Sequence, residues 1–76
     1  MRNVGIGAWG DDIRALQEML ILWGYPIKAD GIFGDTTRKA VLHFQRTHYD
    51  DSGAPLIVDG IVSPRTWKTL SNIVRE

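Results

Sequence analysis

Residues 30–37, Asp30-Gly31-Ile32-Phe33-Gly34-Asp35-Thr36-Thr37, recur further along the chain as residues 59–66, Asp59-Gly60-Ile61-Val62-Ser63-Pro64-Arg65-Thr66. Aspartate, glycine, isoleucine and threonine occupy the same places in both stretches. The apolar residues that follow also match in register, because Val41 corresponds to Leu70 and Phe44 corresponds to Ile73. We therefore predict two copies of one unit, in which an Asp-Gly turn leads into a helix.

Each turn has the chemistry of a helix start. The carboxylate of Asp30 or Asp59 can accept hydrogen bonds from backbone N–H groups two or three residues on, and the glycine that follows supplies a positive φ at low cost. We expect Ile32 and Ile61 to point into the core, and the threonine at the third helical position to bond toward the turn. The favoured interpretation of both aspartates is structural, and direct ligand contact is the alternative.

Three helices are predicted, at about residues 11–23, 35–47 and 64–74. Each stretch places apolar side chains three and four positions apart, which is the spacing of one helical face. The stripes are Ile13, Leu16, Leu20 and Trp23; Thr37, Ala40, Val41 and Phe44; and Trp67, Leu70 and Val74 with Ile73 alongside. The predicted fold is an all-α three-helix bundle. Residues 1–76 are expected to form a single domain with an ordered core from about residue 9 to residue 75.

The helix ends carry recognisable signals. Asp11 is the expected N-cap of the first helix, and Gly24 the expected left-handed residue after it. Ser63 is the expected N-cap of the third helix, with Pro64 at the first helical position, and Gly34 takes the equivalent place before the second helix.

The segments between the helices show no strong strand pattern. Ile27 and residues 56–58 are candidates for short extended pieces, and residues 49–55 form a polar loop. The first eight or so residues contain two glycines and no periodicity, so we expect them to be mobile.

Composition excludes several classes of protein. The 76 residues include nine basic and nine acidic side chains, so the formal net charge is zero and gives no long-range attraction to nucleic acid or anionic membranes. Cysteine is absent, which removes disulfides and thiolate metal sites. The longest apolar run, residues 19–23, is far too short to span a membrane, and no signal peptide is recognisable at the N-terminus.

Catalytic, metal and DNA sites are not indicated. A calcium-binding loop beginning at Asp30 would have a single carboxylate at its ligand positions. His43 and His48 do not share a helical face, so we interpret them as solvated or helix-end residues. Glu18 has no second carboxylate placed by the sequence to pair with it. The basic pair at residues 38–39 is balanced by nearby aspartates. We expect no catalysis, no cofactor, no metal and no nucleic-acid partner.

The roles of Gln17, Gln45 and the aromatic residues each have more than one interpretation. Gln17 and Gln45 each follow a core position, which favours a brace for loop backbone groups ahead of a ligand contact. Trp23 and Trp67 fall on core stripes. The remaining aromatic residues lie in predicted loops, where they either serve recognition or cap the core from outside; they are Trp9, Tyr25, Phe33 and Tyr49.

Three patterns occur in order along residues 10–73. They are Ile13-x-x-Leu16-Gln17-x-x-Leu20-x-x-x-Gly24-Tyr25, Asp30-Gly31-Ile32-Phe33-Gly34-x-x-Thr37-x-x-Ala40-Val41-x-x-Phe44-Gln45, and Val58-Asp59-Gly60-Ile61-Val62-x-x-x-Thr66-Trp67-x-x-Leu70. In this combination they resemble the peptidoglycan-binding domain 1 family. The resemblance implies a monomeric three-helix module that anchors a bacterial or phage cell-wall hydrolase to peptidoglycan, with the catalytic domain elsewhere in the parent chain. It also implies a location at the bacterial envelope, or release of a phage lysin to the wall.

With that function, binding is expected in a shallow groove beside the first Asp-Gly turn. The ligand would be the glycan strand, the stem peptide or both. Arg38 would meet stem-peptide carboxylates, and Tyr25 or Phe33 would pack on sugar or alkyl surface. The complete set of expected contacts is Tyr25, Asp30, Phe33, Gly34, Thr37 and Arg38.

The sequence departs from the family pattern in two places. Ser63 stands where members usually have glycine, and residues 47–56 form a longer connection than usual, which reshapes one edge of any groove at the second repeat. Similar domains occur in the pro-regions of matrix metalloproteinases, but the cysteine-bearing inhibitory segment has no counterpart here.

A protein-docking module is the alternative function. The side of the first helix that carries Met19, Ile21 and Leu22 is more apolar than a lone three-helix bundle requires. In this alternative the apolar side would hold a catalytic domain or an assembly partner.

Overall fold

Three helices form the fold. The structure, a computed structural model, describes residues 3–72. Helix α1 spans Asp11–Leu22, α2 spans Asp35–Thr47 and α3 spans Pro64–Ser71, and residues 3–72 contain no strand. The all-α three-helix prediction is confirmed. The predicted end of the third helix at residue 74, with the proposed inward positions Ile73 and Val74, lies outside the described residues.

The core forms where α1 packs against both α2 and α3. Within residues 3–72 the predicted stripes are buried except for Trp23, which is half-buried at the edge of the core, where its Nε1 donates to the Leu70 carbonyl oxygen at 2.8 Å. The buried apolar side chains are Val4, Ile13, Leu16, Leu20, Phe33, Ala40, Val41, Phe44, Leu56, Val62, Trp67 and Leu70.

The end of α1 is closed by a Schellman motif. Gly24 has a φ of 100°, as predicted, and its N–H donates to the Ile21 carbonyl at 2.9 Å. The N–H of Tyr25 donates to the Leu20 carbonyl at 3.0 Å. Two carbonyls that the helix would otherwise leave unpaired are thereby satisfied, and the chain turns sharply toward the first Asp-Gly turn.

The helix starts differ from the prediction in one respect. Gly34 and Ser63 are the N-caps of α2 and α3, as predicted, but Gly10 rather than Asp11 is the N-cap of α1. None of the three caps forms a side-chain hydrogen bond to the helix. Asp11 is instead the first residue of α1, where its negative charge interacts favourably with the positive end of the helix dipole.

The segment before α1 is held in place, so the expected mobility of the first eight residues is wrong from Val4 onward. Val4 is buried and exchanges two backbone hydrogen bonds with Val62, at 3.2 and 2.8 Å. Trp9 pairs with Ile32 in a second isolated bridge, and Phe33 donates to the Ala8 carbonyl at 2.8 Å. One segment thus ties both Asp-Gly turns together, and Val4 belongs to the core.

The isoleucines of the two turns face solvent, which contradicts the expectation that they point into the core. Ile32 is 59% exposed and Ile61 is 43% exposed, whereas the next residues, Phe33 and Val62, are buried. Adjacent side chains of extended backbone point to opposite sides. The inward side chain is therefore one position later in each turn than the sequence indicated.

Asp50 organises the long connection between α2 and α3. Its Oδ1 accepts from the Ser52 hydroxyl and from the backbone N–H groups of Ser52 and Ala54. Its Oδ2 accepts two bonds from Arg65, at 3.0 and 2.7 Å, and Arg65 also donates to the Pro55 carbonyl. The donors, led by the Ser52 hydroxyl and then Arg65, hold the pKa of Asp50 well below its ordinary value of 3.8.

Stability is expected to depend on pH through this carboxylate. Because the pKa of Asp50 is lower in the folded state, its stabilising contribution is present above the ordinary value and is lost as the pH falls toward the folded pKa. Asp50→Asn should have a lower melting temperature than the parent at neutral pH. On acidification from about pH 5 to about pH 2.5, its melting temperature should fall less than that of the parent. Thermal unfolding followed by circular dichroism measures both effects. Parallel pH profiles for the parent and the variant would contradict the assignment.

Candidate functional site

Gln17 fixes the first Asp-Gly turn. Its Nε2 lies 3.0 Å from Asp30 Oδ1, 2.9 Å from the Ile32 carbonyl oxygen and 3.0 Å from Thr37 Oγ1. Its Oε1 accepts from the Gly31 N–H at 2.8 Å. Asp30 Oδ1 also accepts from the Ile32 N–H, as the sequence predicted. The brace predicted for Gln17 is confirmed, and it joins α1, the turn and the first turn of α2.

Gln45 makes the same kinds of contact at the second turn. Its Nε2 donates to Asp59 Oδ1, the Ile61 carbonyl and Thr66 Oγ1, and its Oε1 accepts from the N–H groups of Asp59 and Gly60. Asp59 Oδ1 accepts from the Ile61 N–H at 2.9 Å. The two turns therefore use one bonding scheme. Their origin as copies of one unit stays a prediction from the sequence.

The two turns differ in what covers them. Gly60 is buried, and a Cβ added there would lie 3.3 Å from Arg38 Cγ and 3.5 Å from a methyl carbon of Leu42. Arg38 therefore lies over the second turn. It does not line the groove beside the first turn, where the sequence had placed it. Arg38 sits one helical turn into α2, and that distance carries it to the neighbouring unit.

An open cleft of about 420 Å³ lies beside the first turn. Of the residues expected to bind ligand, Asp30, Gly34 and Thr37 line it. The remaining lining residues come from the segment before the turn, from the turn itself and from the start of α2; they are Pro26, Ile27, Lys28, Ile32, Asp35 and Thr36. The cleft combines apolar surface, one lysine, the carboxylates of Asp30 and Asp35, and the positive end of the α2 dipole.

Tyr25 lies in an adjoining depression of about 350 Å³ rather than in the cleft itself. Its hydroxyl is 2.7 Å from His43 Nδ1, and the two rings meet edge to face with centroids 5.5 Å apart. Partial burial raises the pKa of the Tyr25 hydroxyl. Pro26, Ile27 and Thr36 line both the depression and the cleft, so the two form one continuous surface.

Two of the expected contacts are unavailable to a ligand in the predicted way. Phe33 is 1% exposed and belongs to the core, so the expectation that its ring packs on sugar or alkyl surface is wrong. Thr37 is also buried, and its hydroxyl accepts from Gln17. Thr37 therefore forms the floor of the cleft.

The sequence did not single out several residues that line this surface. Ile27 was predicted only as part of a short extended piece, and Pro26 and Lys28 were given no role in binding, although the proline stiffens the chain directly beside the turn. Trp9 was predicted to lie in a loop, and the structure brings it next to Asp30 and Ile32. Its pairing with Ile32 spans a long stretch of chain and leaves no local sequence signal.

The described part of the chain shows neither a metal site nor a membrane-spanning helix. Residues 3–72 contain no group of three or more His, Asp or Glu side chains that could hold a metal ion. Within the same residues, no helix has the length and apolar content needed to cross a bilayer.

Comparison with known proteins places the chain in a family. A family model described as "Putative peptidoglycan binding domain" matches residues 10–70. The crystal structure of a Burkholderia AP3 phage endolysin is 40% identical with a TM-score of 0.82, and the match covers 99% of this chain and 27% of that one. A fused Zn-dependent amidase/peptidase/peptidoglycan-binding domain-containing protein from Clostridium acetobutylicum is 33% identical with a TM-score of 0.85, covering 99% of this chain and 31% of that one.

A third relative is similar to this chain in length. The crystal structure of the SleB N-terminal domain is 35% identical with a TM-score of 0.77, and the match covers 92% of this chain and 89% of that one. The chain spans less than a third of the endolysin and of the fused amidase. The family match includes both Asp-Gly turns, α1, α2 and all of α3 except its last residue, and the resemblance inferred from the three sequence patterns is confirmed. This chain belongs to the peptidoglycan-binding domain family.

Proposed function

We propose that this chain is a non-catalytic module that binds peptidoglycan and holds an attached hydrolase at the bacterial wall. In this proposal residues 1–76 act as one monomeric domain, in a bacterial envelope enzyme or in a phage lysin. The observation that carries the proposal is the open cleft at the first turn, in a chain whose family is defined by wall binding. Relatives that pair such a domain with an amidase or belong to an endolysin support the attachment to a hydrolase.

The chemistry of the cleft suits the stem peptide. Lys28 is exposed and lies at the cleft, where its charge can meet a peptide carboxylate, the role that the sequence had given to Arg38. Pro26 and Ile27 offer apolar surface for alkyl groups, and Gly34 lets a ligand approach the α2 backbone closely. Tyr25 extends the same surface away from the turn.

A pair of matched double variants tests the cleft. Lys28→Ala with Ile32→Ala removes two exposed side chains from it, and Ile57→Ala with Ile61→Ala removes the residues at the equivalent places of the second unit. We expect the first double variant to bind intact sacculi at least about tenfold more weakly than the parent, because truncating hot-spot side chains at the centre of a binding surface costs more than about 1 kcal/mol each. The second double variant should bind like the parent.

Co-sedimentation with purified sacculi measures this binding, with cellulose as the control for non-specific pelleting and circular dichroism as the control for folding. If the folded Lys28→Ala/Ile32→Ala variant binds sacculi as tightly as the parent, the binding site does not lie at the first turn. A folded parent that does not pellet with sacculi would refute wall binding itself.

A docking module is the second candidate, and an apolar groove favours it. Met19, Pro64 and Trp67 line a groove of about 320 Å³ between α1 and α3, and Leu22 is exposed on α1. Concentration-dependent self-association, or binding to the attached catalytic domain without binding to sacculi, would support this function in place of the first.

A further inference from the structure

Trp9 presents a large aromatic ring to solvent from a fixed backbone. Its side chain is 75% exposed, so the ring contributes little to the core. Its backbone pairs with Ile32, and the neighbouring Gly10 N–H donates to the Gly31 carbonyl at 3.0 Å. An exposed tryptophan on a held backbone is prepared for contact, because less conformational entropy is lost when a partner covers it.

Charged residues line the same depression as Trp9. This depression of about 480 Å³ is lined by Trp9, Asp11, Asp30 and Arg14, and Arg14 Nε also lies 3.9 Å from Glu18 Oε2. The Ile32 N–H and then the Gln17 amide lower the pKa of Asp30, so this carboxylate is ionised at neutral pH. We name this surface, formed by Trp9, Asp11, Arg14 and Asp30, the tryptophan shelf.

The groups of the shelf indicate the class of ligand. An aromatic ring beside two carboxylates and one guanidinium offers an apolar face together with hydrogen-bond acceptors and donors. A ligand that fits is therefore rich in hydroxyl or amide groups and able to cover an aromatic ring with an apolar face. A pyranose ring with an N-acetyl group has both properties.

We infer that the tryptophan shelf binds the glycan strand of the wall polymer, with Trp9 stacked on a sugar face and Asp11, Arg14 and Asp30 bonded to hydroxyl and acetamido groups. This inference deepens the proposed function and rests on it. Asp30 belongs to the shelf and also lines the cleft, so a sugar on the shelf lies directly beside the cleft that takes the stem peptide. In this inference the shelf binds the glycan strand and the cleft binds the stem peptide of the same polymer.

The test separates glycan from peptide. Glycan strands freed of stem peptides are titrated into the ¹⁵N-labelled parent, and the Trp9 indole N–H cross-peak, assigned from its loss in Trp9→Ala, is expected to shift. Trp9→Ala should weaken binding to these strands about tenfold or more, and Trp9→Phe should restore most of it. Tyr49→Ala removes an equally exposed aromatic ring from the α2–α3 connection and should have no effect.

The outcomes distinguish this inference from the proposed function. A parent that pellets with sacculi but does not bind peptide-free strands would refute the shelf and leave the wall-binding function intact. Equal binding of the strands by Trp9→Ala and the parent would also refute it. Loss of binding to an attached protein domain, with glycan binding unchanged, would assign the shelf to docking instead. A parent that binds neither sacculi nor strands would remove both proposals.

Discussion

Replacing Gln17 with leucine is expected to lower the free energy of unfolding by about 3 kcal/mol, because it leaves buried polar groups without partners. Gln17 is 1% exposed, and its amide serves one donor and three acceptors. Leucine has a similar volume and keeps the packing, but it cannot bond to the Gly31 N–H or the Thr37 hydroxyl. Among residues 3–72, no buried side-chain nitrogen or oxygen is left without a partner, so the substitution introduces a defect that the parent avoids.

Urea unfolding followed by circular dichroism measures this loss, and Gln45→Leu is the matched companion. The second network has longer contacts, since Gln45 Nε2 lies 3.2 Å from Asp59 Oδ1 and 3.4 Å from Thr66 Oγ1. Gln45→Leu should therefore cost the same or somewhat less. A loss below about 1 kcal/mol for Gln17→Leu would mean that water replaces the amide and that the brace is not a main support of the turn.

Phe44→Ala is expected to have a larger effect, about 3–5 kcal/mol, which is a large fraction of the stability of a domain of this size. The Phe44 ring is fully buried, meets Trp23 edge to face at 5.2 Å between centroids, and stacks on His48 at 4.1 Å. Alanine would leave a cavity at the junction of α1 and α2 and would remove the surface on which both rings rest.

Thermal and urea unfolding decide this prediction, with Tyr49→Ala as the control. Tyr49 is exposed, so its truncation should change the free energy of unfolding by no more than about 0.5 kcal/mol. Similar losses for the two variants would show that the Phe44 site collapses around the smaller side chain and that its packing is not decisive.

The helices could be predicted because their signals are local. Apolar spacing placed α1 and α2 within about a residue of their observed ends, and Gly24 marked the end of α1 through a conformation that glycine adopts readily. The glutamine braces could be inferred for a similar reason, since a polar side chain next to a core position must find partners inside the fold.

Other features depend on pairing between distant segments and leave no local signal. The orientation of Ile32 is set by its bridge to Trp9, so the turn sequence could not show whether Ile32 or Phe33 faces the core. The burial of Val4 depends on Val62 in the same way. Glycine content and missing periodicity therefore suggested mobility where backbone pairing gives order.

The lining of the cleft was predicted in part. A groove beside the first turn was expected with the family resemblance, and Asp30, Gly34 and Thr37 of the expected residues line the cleft. Arg38 was assigned to the nearest turn in sequence, whereas its place one helical turn into α2 carries its side chain to the next unit, over Gly60. Lys28 and Trp9 join the surface through tertiary packing alone.

The pairing of Val4 with Val62 has a consequence for the rate of folding. Small helical bundles fold fast because most of their contacts join residues that are near in sequence, but this bridge closes a loop of about three-quarters of the chain. The entropy of that closure must be lost before the bridge returns any stabilisation. We therefore expect the helices to assemble first and the segment before α1 to dock last. Trp9, which lies in this segment, would then reach its place only when the rest of the domain is complete.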